Sequence, residues 1–429
     1  MSKIKKIKFP HPSFPGKWKE TIKKITERKR EKAQANMQSD EMMSLSEKLK
    51  LHRDKVHLRT VLLAAAAVLL VGGAFVYSRV RVLHRYSVLS SVERSDDAAT
   101  SYVRLDNRTL KCNPNGVTCV NDSNEVQWNV TFTLQNPIVD VCGSTVAVGD
   151  QRGQDVYVFN KEGQIGHFEV EYTLTKVRVA AQGVVAAVLE DGDITYVNVY
   201  DSSGTLLVKS KTTMNENGYP LDIDISSDGQ KLAVSYLTMD NKDVKTNIVF
   251  YNFSAVGQSA ADYQVNSVEY EAAVVPAMHF LSGSYAVAFR DDGLTFFGGR
   301  QVPEQRAEIT VEQEIISIFH SDDYVGIITA NEDETHKNKY KMQIYRADGS
   351  RCGTGYFDMD YTDVVKTTVL LQEGEIILYG THDIEIYSTG GRKKASVEYE
   401  KQISGMIKLG GFHKYQVLTP DSTDKIRLK

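Results

Sequence analysis

Four segments of this 429-residue chain read almost alike: Val156–Gly163 (VYVFNKEG), Val197–Gly204 (VNVYDSSG), Met342–Gly349 (MQIYRADG) and Ile384–Gly391 (IEIYSTGG). Each runs apolar, variable, β-branched, aromatic, then three turn-forming residues, then Gly. Alternation over four residues is the period of a strand with one face buried. The Gly supplies the positive φ that a tight hairpin needs. A strand-turn unit recurring at about 40-residue intervals predicts a β-propeller or a related repeat array.

Weaker copies follow once the register is known: Val117–Asn124, Ile248–Tyr251, Leu294–Gly299 and Ile426–Leu428. Asn124 stands where the stronger copies carry Gly, and Asn also tolerates the left-handed conformation. The aromatic or equivalent positions are Val120, Phe159, Tyr200, Tyr251, Phe297, Tyr345, Tyr387 and Leu428, which count eight units. Seven remain if one weak unit is an insertion. Before each cassette lies an apolar run, such as Thr145–Val148, Val184–Val188, Lys231–Val234, Ala286–Phe289, Val325–Ile328 and Glu375–Leu378. A strand packed on both faces carries such a run.

The last unit has three recognisable strands, Met406–Leu409, Lys414–Leu418 and Lys425–Leu428, and no fourth. A spare strand, Tyr86–Arg94 (YSVLSSVER), opens the repeat region. A closed ring leaves no open sheet edge. Tyr86–Arg94 is therefore expected to serve as the outer strand of the last blade.

Charge divides the chain. Residues 1–59 hold 17 Lys+Arg against 7 Asp+Glu, a net of +10, and the remainder carries −14. A region at −14 lacks the basic footprint that nucleic acid requires, so no nucleic-acid partner is expected. Between the halves, Thr60–Ser78 (TVLLAAAAVLLVGGAFVYS) has no charge and is bounded by Arg59 and Arg79. Nineteen helical residues rise about 28 Å, close to a bilayer's hydrocarbon core. A signal peptide has a much shorter leading region. The reading is one membrane span, with residues 1–59 as a basic cytoplasmic tail by the positive-inside rule and 79–429 as an extracytoplasmic propeller at the cell envelope.

Pro10, Pro12 and Pro15 favour an extended start. Lys17 to about Lys55 has helical potential, with Trp18, Ile22 and Ile25 at helical spacing. That segment is either a basic amphipathic helix on the anionic inner leaflet or a solvated tail.

Two stretches extend the comparison. Arg108–Trp128 (RTLKCNPNGVTCVNDSNEVQW) resembles a quinoprotein-type propeller repeat, and Ile223–Val234 (IDISSDGQKLAV) resembles the Ser-x-Asp-Gly-Lys turn of WD40-like and TolB-like propellers. The layout of basic tail, one span and divergent propeller, over residues 50–429, resembles a bacterial family of uncharacterised single-span membrane-anchored β-propeller-like proteins. That resemblance implies the all-β fold and the anchor, and it carries over no reaction. The quinoprotein likeness covers one repeat, because the chain holds only Trp18 and Trp128. No cofactor is expected.

No catalytic constellation stands out. The ten histidines form neither HxH nor HExxH spacing, and GxSxG and phosphate-loop motifs are absent. The pairs Asp191-Gly192, Asp228-Gly229, Asp292-Gly293 and Asp348-Gly349 read as hairpin turns rather than calcium loops, since one pair per hairpin does not assemble a cage of six or seven oxygens. No metal is expected. The four cysteines show no CxxC spacing. Cys112 and Cys119 flank the turn Asn113–Gly116, either as a cross-strand disulfide or as independent thiols like Cys142 and Cys352.

Thr238–Asn247 and Ala330–Tyr340 lengthen connections between second and third strands. In a propeller these emerge on the same face as the links between blades, of which Thr212–Tyr219 is one. Insertions on one face often mark the binding face. The binding-face candidates are Asn215, Glu216, Asn217, Asp240, Asn241, Asp243, Glu332, Asp333, Glu334 and His336. The expected function is an anchored platform for an envelope protein or glycan partner, without catalysis. The alternatives are a propeller enzyme acting on glycans or with a quinone at the central funnel, and a single-span sensor. Two facing carboxylates in the funnel would favour the enzyme.

Overall fold

The computed structural model describes residues 26–31, 45–94, 96, 100–105, 107–214, 217–240, 243–359, 368–372 and 374–429. The chain forms two compact units, Met1–Arg81 and Val82–Lys429. The first holds a helix, Leu45–Val80, that contains the uncharged stretch. Val61, Leu62, Leu63, Val68, Leu69 and Leu70 are each 60–75% exposed along it. Among the described residues no helix is long and apolar enough to cross a membrane. The side chains at 71 and 74–80 lie outside the described ones, as do the tail positions Trp18, Ile22 and Ile25.

The second unit is an eight-bladed β-propeller, each blade a four-stranded antiparallel sheet. In chain order the first seven blades run Ser101–Thr131, Pro137–Glu169, Thr173–Thr213, Tyr219–Tyr270, Ala277–Thr310, Ile315–Phe357 and Thr368–Glu398. The eighth combines Gly405–Lys408, Lys414–Leu418 and Ser422–Leu428 with Tyr86–Glu93. The count is eight, not seven.

Every cassette is the third strand of its blade, and every apolar run before it is the second. The second strand of blade 2, Thr145–Asp150, is buried along its whole length. It has a hydrogen-bonded neighbour on each edge and a blade against each face, which is why all its side chains are small or branched. The core lies between blades. Val197 and Val199 of blade 3, for example, pack with Ile223 and Ile225 of blade 4.

The aromatic position has a second role. In the first seven blades the pairing of third and fourth strands slips by one residue there. Cys119 opposes Trp128 while Val120 opposes Val126, and Val199 opposes Val208 while Tyr200 opposes Leu206. The same shift occurs at Phe159, Tyr251, Phe297, Tyr345 and Tyr387. A bulge of this kind bends and twists the outer strand, and it directly follows the hairpin turn. Gly204 turns that hairpin in blade 3 at φ +88°, and Asn124 does so in blade 1 at φ +62°. Blade 8 has no such hairpin, because its outer strand comes from the other end of the repeat region. Its bulge sits elsewhere, at Leu89.

Tyr86–Glu93 pairs antiparallel with Ser422–Leu428, from Tyr86 opposite Leu428 to Glu93 opposite Ser422. Arg94 continues the join, its N–H donating to Asp421 O (2.9 Å) and its guanidinium to Thr419 O (2.7 Å). Asp424 is buried where the strands meet. It accepts from Tyr399 Oη (2.6 Å), Lys401 Nζ (2.8 Å) and the Ser91 hydroxyl. These donors outweigh the cost of burial and hold its carboxyl down at about 2. Asp96 then bridges to blade 1 through Tyr102 Oη and Lys111 Nζ, both at 2.8 Å. Leu83 forms a parallel bridge to Ala395, on the outer strand of blade 7. The seam thus joins blades 7, 8 and 1.

Candidate functional site

Strand direction sorts the turns onto two faces. One carries the second-to-third-strand turns and the links between blades. The opposite one carries the first-to-second and third-to-fourth turns. The binding-face candidates belong to the first. Asn215, Glu216 and Asn241 lie outside the described residues, and for Asp240 and Asp243 only the backbone is described.

Thr238–Asn247 is not a loop, contrary to the expectation from sequence. The second and third strands of blade 4, Lys231–Asp240 and Asp243–Asn252, are ten residues each and pair out to Asp240 opposite Asp243. Thr238, Val244 and Thr246 are β-branched, which favours a strand over an irregular loop. Second strands of the other blades have five to seven residues, so this hairpin projects by about 10 Å. Met239 and Val244 stand exposed on it, and Met214 is exposed on the preceding link. Asn217 is exposed next to Gly218, whose backbone lies against Leu237 and Thr238. The polar pattern of the insertion points to its charged residues and not to these apolar ones. A methionine in a polar insertion was the available signal.

The insertion at 330–340 does form a loop. Asn331 donates through Nδ2 to His336 O (2.9 Å) and Asn338 O (2.8 Å), closing it from within. Asp333 accepts from Thr335 N (3.0 Å), Thr335 Oγ1 (2.6 Å) and Tyr356 Oη (3.0 Å), which hold its carboxyl well below the usual range. Asp333 is committed to the loop's shape. Glu332, Glu334 and His336 face solvent, although Gln313 holds Glu332 (2.8 Å) and the His336 ring stacks on Tyr356 at 3.7 Å. This loop belongs to blade 6 and the hairpin to blade 4, with blade 5 between them in chain order. The candidates form two separate projections on one face.

A polar cluster that sequence reading did not find lies at the axis. Innermost strands have one edge unpaired, and side chains of the neighbouring blade satisfy it. Asp140 of blade 2 accepts from Val179 N of blade 3 (2.7 Å). Arg178 of blade 3 donates to Ile223 O of blade 4 (3.0 Å). Asp222 and Asp224 of blade 4 accept from Met278 N (3.0 Å) and Phe280 N (2.6 Å) of blade 5. Gln372 repeats the device, accepting from Lys408 N (2.8 Å). An uncapped backbone group there would forfeit a hydrogen bond.

Arg178 is the hub. Its guanidinium lies 3.6 Å from Asp140, 3.1 Å from Asp222 and 3.7 Å from Asp224, and Lys176 adds a second cation 3.1 Å from Asp222. Burial outweighs these cations for Asp224, whose carboxyl is pushed well above the usual range. His279, 3.8 Å from Asp224, stacks on His320 of blade 6 at 3.7 Å. His320 itself is exposed; desolvation by the surrounding protein and then the Arg178 charge push it down to about 4. Burial, then the His320 and Arg178 charges, pushes His279 well below its usual value.

A depressed histidine binds its proton less readily in the folded state than in the unfolded one. Stability from His320 is therefore full above about 6.5 and lost as pH falls toward 4. The melting temperature should fall over that window, and His320→Gln should flatten this part of the profile. An unchanged slope in the variant would contradict the assignment.

In the first hairpin Cys112 opposes Val117 and Cys119 opposes Leu110, so the two thiols are not cross-strand partners. Gly192, Gly229, Gly293 and Gly349 take positive φ, as hairpin turns require. Among the described residues no group of three or more His, Cys, Asp or Glu could hold a metal.

Fold and axis define an eight-bladed propeller, closed by its own first strand and stitched at the axis by side chains capping the next blade. The chain belongs to the family described as "Family of unknown function (DUF5711)", whose profile matches residues 79–428. No curated protein matches it. Among solved structures it is similar to BamB from Moraxella catarrhalis, with 10% identity over 80% of this chain and 100% of that one and a TM-score of 0.46. It is similar to a eukaryotic initiation factor, with 12% identity, coverage of 80% and 87%, and a TM-score of 0.47. The Neurospora crassa Pan2 WD40 domain gives 9%, 81%, 97% and 0.41 in the same order. All three TM-scores lie below 0.5, and the fold assignment rests on the strand order itself.

Proposed function

We propose that this protein is a membrane-tethered interaction platform, with the propeller outside the cytoplasm and its link-bearing face turned to a partner protein. The carrying observation is the blade 4 hairpin, with Met239 and Val244 exposed on strands longer than those of any other blade. Exposed methionine suits a protein surface because it adapts to irregular apolar partners. The blade 6 loop adds Glu334 and His336 on the same face. A glycan partner is less well matched, since the hairpin offers apolar rather than hydrogen-bonding groups.

The tether is Thr60–Ser78. Val61, Leu62, Leu63, Val68, Leu69 and Leu70 lie exposed on its helix, which suits lipid and not water. The +10 excess before it places residues 1–59 in the cytoplasm and suits the anionic inner leaflet. The platform reading is non-catalytic. Asp140, Asp222 and Asp224 face one another at the axis, as an enzyme would require, but each gives an oxygen to a backbone N–H of the next blade.

In intact cells, an impermeant thiol reagent should label Glu334→Cys above the wild-type baseline. It should label Ser39→Cys only after permeabilisation. Alkaline carbonate should leave the full-length protein in the membrane pellet. Labelling of Ser39→Cys in intact cells, or release by carbonate, would overturn the tether.

A further inference from the structure

The first turn of blade 8 holds an aromatic side chain out in solvent. Phe412 is 89% exposed, the most exposed large hydrophobic residue among the described ones. The turn is braced. Leu409 N donates to Lys414 O (3.0 Å) and Leu428 N donates to His413 O (3.0 Å). Gly411 at φ +98° and His413 at φ +54° flank the tip.

The chain joins the propeller at this same end of blade 8. Arg85 N donates to Lys429 O (3.2 Å) and Lys429 N to Arg85 O (2.7 Å), beside Leu428. Arg85, Arg427 and Lys429 are exposed, and half-buried Lys414 sits opposite Arg427 in register. Among the described residues no carboxylate pairs with any of these four cations. An exposed aromatic at a blade end that also carries these cations suits the boundary between acyl chains and anionic headgroups.

We propose that this end of blade 8 docks on the anionic phospholipid surface, with Phe412 seated at the headgroup boundary and Arg85, Lys414, Arg427 and Lys429 over the phosphates. The proposal deepens the tethered-platform reading and rests on it. Four residues, Arg79–Val82, separate the uncharged stretch from Leu83, which already pairs with blade 7. The docked face is the one opposite Met239 and Glu334, so docking leaves the binding face free.

The test uses full-length Phe412→Trp protein in vesicles of phosphatidylcholine and phosphatidylglycerol, with wild type as the fluorescence baseline. The added Trp should emit to the blue and be quenched by brominated acyl chains. Met239→Trp should stay unquenched, and quenching of Phe412→Trp should weaken in pure phosphatidylcholine. Water-like emission overturns the docking. So does a blue shift without lipid quenching, which would mean that a second copy or another protein surface covers the site. Equal quenching in both lipids overturns the role of the four cations. Carbonate release of the full-length protein would overturn tether and docking together, whereas carbonate retention with an unquenched Trp overturns docking alone.

Discussion

Removing residues 86–94 from the propeller unit lowers its melting temperature by roughly 7 °C or more, because the eighth blade is left with three strands and the ring loses the strand that closes it. The strand contributes seven paired positions against Ser422–Leu428, together worth about 5 kcal/mol at typical net hydrogen-bond values. A domain of this size loses about 1 °C for each 0.7 kcal/mol. The deletion also takes Ser91 from Asp424, Arg94 from Thr419 and the Tyr86 ring from Tyr399, 4.9 Å away. The bared edge invites pairing with other chains, so aggregation on heating should accompany the loss. Calorimetry of residues 82–429 with and without 86–94 measures both. An unchanged melting temperature would mean that the ring does not depend on this strand for closure.

Replacing Arg178 with Met costs about 3–5 kcal/mol, because it leaves three carboxylates facing one another without their shared cation. Lys176 still reaches Asp222 (3.1 Å), but Asp140 loses its guanidinium and Asp224 keeps only the His279 ring, 3.8 Å away. The expected fall in melting temperature is roughly 5 °C. Arg178→Lys should cost less, as it keeps the charge and loses the fork. Asp224→Asn should be nearly neutral, since burial already favours the uncharged carboxyl and the amide oxygen can accept from Phe280 N. Adding Asp222→Asn to Arg178→Met should recover part of the loss. Additive effects in that double variant would contradict the hub.

Most of the ring was legible because its signals are local. Tyr200 and Gly204 mark a strand and its turn within eight residues, and the intervals between copies count the blades. Closure by Tyr86–Glu93 was legible as a mismatch between a unit lacking a strand and a strand lacking a unit. The bulge at the aromatic position was not, since it depends on the register of two strands that sequence does not display. The axial cluster joins residues up to 180 positions apart, Asp140 to His320. Its traces were present in alternating pairs, Lys176 with Arg178 and Asp222 with Asp224, and in His279 and His320, one blade interval apart. Only the closed ring shows that these polar faces meet. The insertion at 238–247 was located correctly but given the wrong form, because β-branched residues turned it into paired strand.

Photo-cross-linking in intact cells tests the platform most directly. A photoreactive residue replaces Met239, Glu334 or, on the opposite face, Ser123. The account expects a discrete protein adduct from Met239 or Glu334 and none of that size from Ser123. It expects the Met239 adduct to fade when Val244 is changed to Ser. No adduct from either position on the link-bearing face, or the same adduct from Ser123, would contradict it.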